Sequence, residues 1–100
     1  MSDKSMENVS REEFYNRLRE ELNNNTDWPV RYMYKFIIPN DERKIEDVER
    51  AFEGKDAEKH RSFSKNGKYV SLTFVVEEAD AESILNQYRK MENIEGLIAL

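Results

Sequence analysis

The chain has no cysteine and only one histidine, His60, among its 100 residues. Without thiols it can form no disulfide framework, no thiolate metal site and no cysteine nucleophile. A single imidazole also excludes a multi-histidine zinc site. No apolar run approaches the roughly 18 residues of a transmembrane helix, and the N-terminal residues lack the apolar segment of a secretory signal. We therefore expect a cytoplasmic protein.

The charge balance is acidic, with 16 Lys and Arg against 21 Asp and Glu and a formal net charge of −5. This balance argues against a general binder of nucleic acid or acidic membranes, because phosphate binding needs local positive charge. Apolar residues make up 38% of the chain, and a chain of this length is typical of one small domain. The core is expected to be thin, consisting of one sheet with a few helices on it.

We place the folded domain at 28–100 and predict that 1–27 precede it. A polar tail over 1–9 leads to a capping box at 10–13 (Ser-Arg-Glu-Glu), which predicts the start of an amphipathic helix. An asparagine-rich linker over 23–27 ends this helix. The apolar stripe of the predicted helix consists of Phe14, Leu18 and Leu22.

The strongest strand pattern is WPVRYMYKFIIP at 28–39. Its period of two predicts one apolar face for the core and one mixed face that is only partly covered. The core face consists of Val30, Tyr32, Tyr34, Phe36 and Ile38. The mixed face consists of Arg31, Met33, Lys35 and Ile37. A helix over 42–53 follows. Asp41 belongs to the segment that caps its start, and Gly54 lies where a C′ glycine is expected.

Asn66-Gly67 between two apolar runs predicts a β-hairpin with a type I′ turn, in which both turn residues have positive φ. This register sets Phe63 opposite Val70 and His60 opposite Thr73. The predicted core face of the hairpin consists of Phe63, Val70, Leu72, Phe74 and Val76. The other face of its second strand consists of Tyr69, Ser71, Thr73 and Val75.

Asp80 is a good N-cap for a helix over 81–92, and the apolar run 96–100 reads as a last strand. The order after residue 28 is therefore strand, helix, strand, strand, helix, strand. This order is typical of an α+β, ferredoxin-like split β-α-β sandwich. We expect an antiparallel four-stranded sheet of order 4-1-3-2, both helices on one face, and the extra N-terminal helix.

Three segments resemble the YbeD-like family of uncharacterised bacterial proteins: YKF at 34–36, SKNGKYVSLTF at 64–74, and IEGLIAL at 94–100. The resemblance covers about three quarters of the chain. It implies a fold similar to ACT domains, which bind small effectors or regulate enzymes as paired modules. It transfers no catalytic residue, because none is established for the family.

A basic patch on the predicted edge strand and hairpin is one candidate site. Its members are Lys59, His60, Arg61, Lys65 and Lys68. Residues 55–68 carry a local positive charge, so contact with a nucleic acid or an anion is one interpretation. Charges that blunt an exposed sheet edge are the simpler interpretation. The exposed phase of the strand after the hairpin has only Tyr69 as an aromatic, which disfavours an RNA-recognition sheet.

The mixed sheet face is the second candidate site, with Met33, Ile37, Tyr69 and Val75 as its apolar members. Such a patch needs a cover, which we expect to be the helix over 10–23 or another chain. The sequence favours a non-enzymatic regulatory or interaction module that acts through protein contact or a small ligand, with no cofactor and no metal. A protein partner or a homo-oligomer is expected, a small-molecule effector at the 39–42 turn is an alternative, and nucleic acid is disfavoured.

Overall fold

The computed structural model describes the backbone of residues 4–100 and the side chains of residues 11–100. Its elements follow the order α1-β1-α2-β2-β3-α3-β4. Their bounds are α1 Lys4–Asn25, β1 Val30–Pro39, α2 Glu42–Ala51, β2 Glu58–Phe63, β3 Tyr69–Glu78, α3 Ala81–Met91 and β4 Ile98–Ala99. The protein is α+β, as predicted.

The four strands form one antiparallel sheet of order β2-β3-β1-β4. Read from its other edge, the order is β4-β1-β3-β2, which agrees with the predicted strand order. The long strands β1 and β3 are central and set Tyr34 opposite Phe74. β2 is an edge strand, and its residues are exposed along its whole length.

One face of the sheet carries the core. Tyr34, Phe36 and Ile38 of β1 are fully buried, which confirms the predicted core face of this strand. The ring of Phe52, just after α2, stacks on Phe74 at 4.0 Å between ring centroids. Both helices lie on this face, because the same cluster includes residues from α2 and α3, namely Ile45, Val48, Ala81, Ile84 and Met91.

Phe63 departs from the predicted core. Its register opposite Val70 is as expected, yet 56% of its surface is exposed. The side chain points to the helix-bearing side, but β2 is the edge strand and lies beyond the cover that the helices provide. A period-two pattern identifies the face of a residue and not its distance from the centre of the sheet.

The hairpin has the predicted register but not the predicted turn. Gly67 has φ +74°, whereas Asn66 does not have positive φ. The Gly67 amide donates to the Ser64 carbonyl at 2.9 Å, and the Lys68 amide donates to Oδ1 of Asn66 at 3.0 Å. The connection is therefore a four-residue loop over 65–68. A two-residue type I′ turn would require the strands to pair as far as Lys65 and Lys68.

Both predicted N-caps are present. The Asp41 carboxylate accepts a hydrogen bond from the Arg43 amide at 3.0 Å, and the Asp80 carboxylate accepts one from the Ser83 amide at 2.9 Å. The backbone hydrogen bond to Asp80 lowers the pKa of its carboxyl group. The Asp41 carboxylate accepts the Arg43 amide and adds a negative charge at the start of α2, which disfavours an anionic effector there.

The first helix begins earlier than the capping box indicated. α1 starts at Lys4, so residues 4–9 are helical and the box at 10–13 lies inside the helix. No glycine or proline interrupts 4–25, and extending an existing helix costs far less than nucleating one. Of the tail predicted over 1–9, residues 1–3 lie outside the described part of the chain.

Candidate interaction site

The predicted open face exists on the side of the sheet that faces away from α2 and α3. Met33 of β1 lies opposite Val75 of β3, and Tyr69 lies at the far end opposite Pro39. Met33 is 58% exposed and Tyr69 is 49% exposed, while Ile37 and Val75 are half-buried. The structure therefore places all four predicted residues on one face.

The last strand adds two apolar residues that were not predicted for this face. Ile98 pairs with Ile37, and the Leu100 amide donates to the Lys35 carbonyl at 2.9 Å. Ile98 is 55% exposed and Leu100 is 66% exposed. Side chains alternate between the two faces along 96–100. Pairing Ile98 with Ile37 would therefore have placed both Ile98 and Leu100 on the open face. We call the six residues the open-face patch: Met33, Ile37, Tyr69, Val75, Ile98 and Leu100.

Polar side chains interrupt and border the open-face patch. Lys35 lies in the middle of β1 and is exposed. Arg31 lies at one end, where its guanidinium pairs with the Glu58 carboxylate at 2.9 Å while both side chains remain more than half exposed. The apolar side chains of the open-face patch therefore surround one exposed lysine, and an ion pair borders them at one end.

Of the two covers predicted for this face, the first helix is wrong, and cover by another chain stays a prediction. α1 packs against α3 in the helix layer, on the other side of the sheet. The ion pairs Arg19–Glu82 and Arg11–Glu92 join the two helices at 2.5 and 3.0 Å. Within the described part of the chain, the open-face patch therefore has no helical cover.

The helix is also rotated relative to the predicted stripe. Tyr15 is 4% exposed and Leu22 is 9% exposed, whereas Phe14 is 51% exposed. The Arg89 guanidinium of α3 lies 4.7 Å from the centre of the Tyr15 ring, and burial raises the pKa of the Tyr15 hydroxyl. Residues 14 and 15 both fit a helical stripe with Leu18 and Leu22. The partner helix, with its cation over the ring, selects Tyr15.

The predicted basic patch is divided between different surfaces. Lys59 and Arg61 share the helix-bearing side of β2, His60 lies opposite Thr73 on the open side, and Lys65 and Lys68 belong to the hairpin loop. Arg61 is also paired with acids of α2, with Glu49 at 2.9 Å and Glu42 at 4.0 Å. The structure brings these residues to one edge but does not bring them to one face.

A buried charged cluster at the end of β3 was missed by the sequence analysis. Glu78 is 3% exposed and accepts a hydrogen bond from the Tyr34 hydroxyl at 2.5 Å. The Lys55 ammonium approaches its two oxygens at 2.9 and 3.2 Å. Glu78 continues the core phase of Val70, Leu72, Phe74 and Val76. This alternation is the signal in the sequence that identifies Glu78 as a core position.

The tyrosines of the core pack as predicted. The hydroxyls of Tyr32 and Tyr88 are hydrogen-bonded at 2.9 Å, and Tyr32 and Tyr34 meet edge to face at 4.7 Å. Burial raises the pKa of both Tyr34 and Tyr88, so both hydroxyls stay protonated. Trp28 packs against the same core cluster.

Among the side chains of residues 11–100, no three carboxylates or histidines are placed to hold a metal ion together. None of the described helices combines the length and apolar character needed to cross a membrane.

The family model for a protein of unknown function, DUF493, matches residues 23–100. The chain belongs to this family. DUF493 is the YbeD family, so the resemblance seen in the sequence is confirmed. Neither a curated protein nor a solved structure is significantly similar to the chain. The match begins near the end of α1, so nearly all of this helix lies outside the family region.

Proposed function

We propose that the protein is a cytoplasmic, non-enzymatic interaction module that regulates a partner through protein contact at the open-face patch. The observation that carries the proposal is the exposure of Met33, Ile98 and Leu100, each more than half accessible on adjacent strands. Large apolar side chains that are exposed together on one face of a sheet are typical of partner sites. The strand order also supports a ferredoxin-like, ACT-like module, whose relatives act in pairs.

A second copy of the chain is the simplest partner. Two identical patches that meet across a two-fold axis bury the apolar residues of both copies in one self-complementary contact. The rim pair Arg31–Glu58 then remains at the solvent boundary, where ion pairs cost little to retain.

The polar clusters support a non-enzymatic role. Glu78 is engaged by Lys55 and Tyr34 and is shielded from solvent. His60 is exposed on the edge strand opposite Thr73, with no acid in its register position to act as a catalytic partner. Contact with nucleic acid through residues 55–68 is less well supported, because Arg61 is paired with Glu49 and the other basic side chains are spread over two faces and a loop.

The test compares Ile98→Asp and Met33→Asp with the matched control Phe63→Asp. Phe63 is as exposed as the other two, at 56%, but it points to the opposite side of the sheet. We expect the wild type to associate in light-scattering measurements over a concentration series, and the two patch variants to be monomeric. Phe63→Asp should associate like the wild type. The proposal would be contradicted if the wild type stayed monomeric and nucleic acid, instead of protein, co-purified with it from a lysate. That result would favour nucleic-acid contact through residues 55–68.

A further inference from the structure

An apolar cavity of about 160 Å³ lies between α1, α3 and the C-terminal segment, on the side of the sheet opposite the open-face patch. Its deep wall is formed by the fully buried side chains of Phe36 and Met91. Leu97 and Ala99 close one side, and Tyr88 contributes an aromatic ring. None of these residues belongs to the open-face patch, so the cavity is a separate feature.

The first helix completes this cavity. Phe14 and Tyr15 form its outer wall, and both lie outside residues 23–100, which the family model matches. Phe14 lies at the mouth of the cavity with half its surface exposed. Its ring therefore lines the cavity instead of joining the buried stripe of α1. The domain alone would present an apolar groove, and α1 converts the groove into a pocket.

The chemistry of the lining limits what can occupy it. Glu92 is the one ionised group that lines the cavity, and its carboxylate is already paired with Arg11 at 3.0 Å. An enclosed apolar cavity of roughly 150 Å³ can admit a molecule such as benzene. This pocket has a similar volume and opens to solvent at Phe14. A charged molecule would lose its hydration there without gaining a partner. Aromatic walls also suit an aromatic guest, because rings meet well edge to face.

We propose that this cavity is a binding site for a small neutral aromatic molecule, or for the aromatic end of a larger one. A guest of this kind contacts α1 and the family domain at the same time. It therefore stabilises the docked position of α1 by the free energy of its own binding. The site adds a small-molecule input to the module and does not depend on the open-face patch.

The experiment uses two probes of similar size, benzyl alcohol and benzoate, titrated into the full-length isotope-labelled protein and followed by NMR. We expect saturable shifts of the Met91 and Leu97 methyl signals with benzyl alcohol. Benzoate should bind about ten-fold or more weakly, because its carboxylate must be desolvated against an apolar wall. Equal affinity for the two probes, or no saturable shift with the neutral one, would overturn the proposal.

Two variants test the location of the site. Ala99→Leu should fill the cavity and weaken benzyl alcohol binding by about ten-fold or more. Phe14→Ala should weaken binding while leaving the fold intact, because this ring is half exposed. Phe14→Ala therefore keeps the test decisive if Ala99→Leu does not fold. Met33→Asp, on the opposite face, should bind benzyl alcohol like the wild type. Loss of self-association at the open-face patch can therefore be distinguished from loss of binding in the cavity. Unchanged affinity in Phe14→Ala would overturn the role of α1.

Discussion

The hydroxyl of Tyr34 donates a 2.5 Å hydrogen bond to Oε2 of Glu78, 44 residues further along the chain. The same carboxylate receives the Lys55 ammonium at 2.9 Å. Burial, followed by the bond to Glu78, raises the pKa of Tyr34, so the hydroxyl stays protonated and donates to the carboxylate. Strand β1, the loop before β2 and the end of β3 are thus joined at one buried anion.

We expect Lys55→Met to lower the free energy of unfolding by roughly 3 kcal/mol, because a buried carboxylate is left without its counter-ion. Lys55 keeps 24% of its side chain exposed, so the loss should lie at the low end of the range for buried pairs. Lys59→Met is the matched control, since this lysine lies on the exposed edge strand. Urea unfolding measures both variants. Equal stability of the two would mean that the Lys55–Glu78 contact contributes nothing.

Gly67→Val should cost roughly 1–2 kcal/mol, because a β-branched residue is strained at φ +74°. A Cβ at this position meets no atom within 4 Å, so the cost comes from the backbone and not from a clash. Gly67→Asn should cost less, because asparagine tolerates the left-handed region. Urea titration of both variants distinguishes these causes, and an equal loss for valine and asparagine would point to something other than backbone strain.

The sequence predicted the faces of the central strands well, and the core aromatics give a direct test. Phe36→Ala and Phe74→Ala should each lower the free energy of unfolding by about 3–5 kcal/mol, since both rings are fully buried. Lys35→Ala, on the exposed face beside Phe36, should have little effect. A large loss at Lys35, or a small one at either phenylalanine, would mean that the faces of the sheet are assigned the wrong way round.

Local patterns were enough for these features because each depends on neighbouring residues. The alternation over 30–38 identifies a strand face, and Asp41 and Asp80 cap helices through amides two or three residues away. Register at the hairpin followed from Asn66-Gly67, although the turn itself depends on where pairing stops. Those interactions are short in sequence and are visible in it.

Other features depend on partners that are distant in the chain. The position of α1 is set by Tyr15 under Arg89 and by Arg19 beside Glu82, contacts that span more than sixty residues. Glu78 is acceptable in the core only because Lys55 and Tyr34 meet it there. The pattern at 14–22 allows either of two stripes, and nothing within it shows which face α3 will meet.

The rotation of α1 can be tested by removing each of two adjacent aromatic side chains in turn. Tyr15→Ala should lower the melting temperature clearly, because it removes a buried ring and its contact with the Arg89 guanidinium. Phe14→Ala should change the melting temperature little, because this ring is half exposed. The opposite ranking in thermal melts would restore the stripe of Phe14, Leu18 and Leu22.

The contact between Arg19 and Glu82 should make the docking of α1 sensitive to acid. The hydrogen bond from Arg19 lowers the pKa of Glu82 below its ordinary value of 4.5. A carboxyl group whose pKa is lower in the folded state adds stability above the pKa of the unfolded chain, and this stability is lost as the pH falls through the folded-state pKa. Both side chains are partly exposed, so salt should also weaken the contact.

We therefore expect Glu82→Gln to melt below the wild type at about pH 7 and to approach the wild type as the pH falls through the folded-state pKa of Glu82, below 4.5. The difference between the two proteins isolates Glu82 from Asp80, whose carboxyl group titrates in both. Glu46→Gln, an exposed acid on α2, is the matched control and should show no such convergence. A Glu82→Gln difference that stays constant with pH, or that grows in acid, would show that the ion pair does not hold α1 against α3.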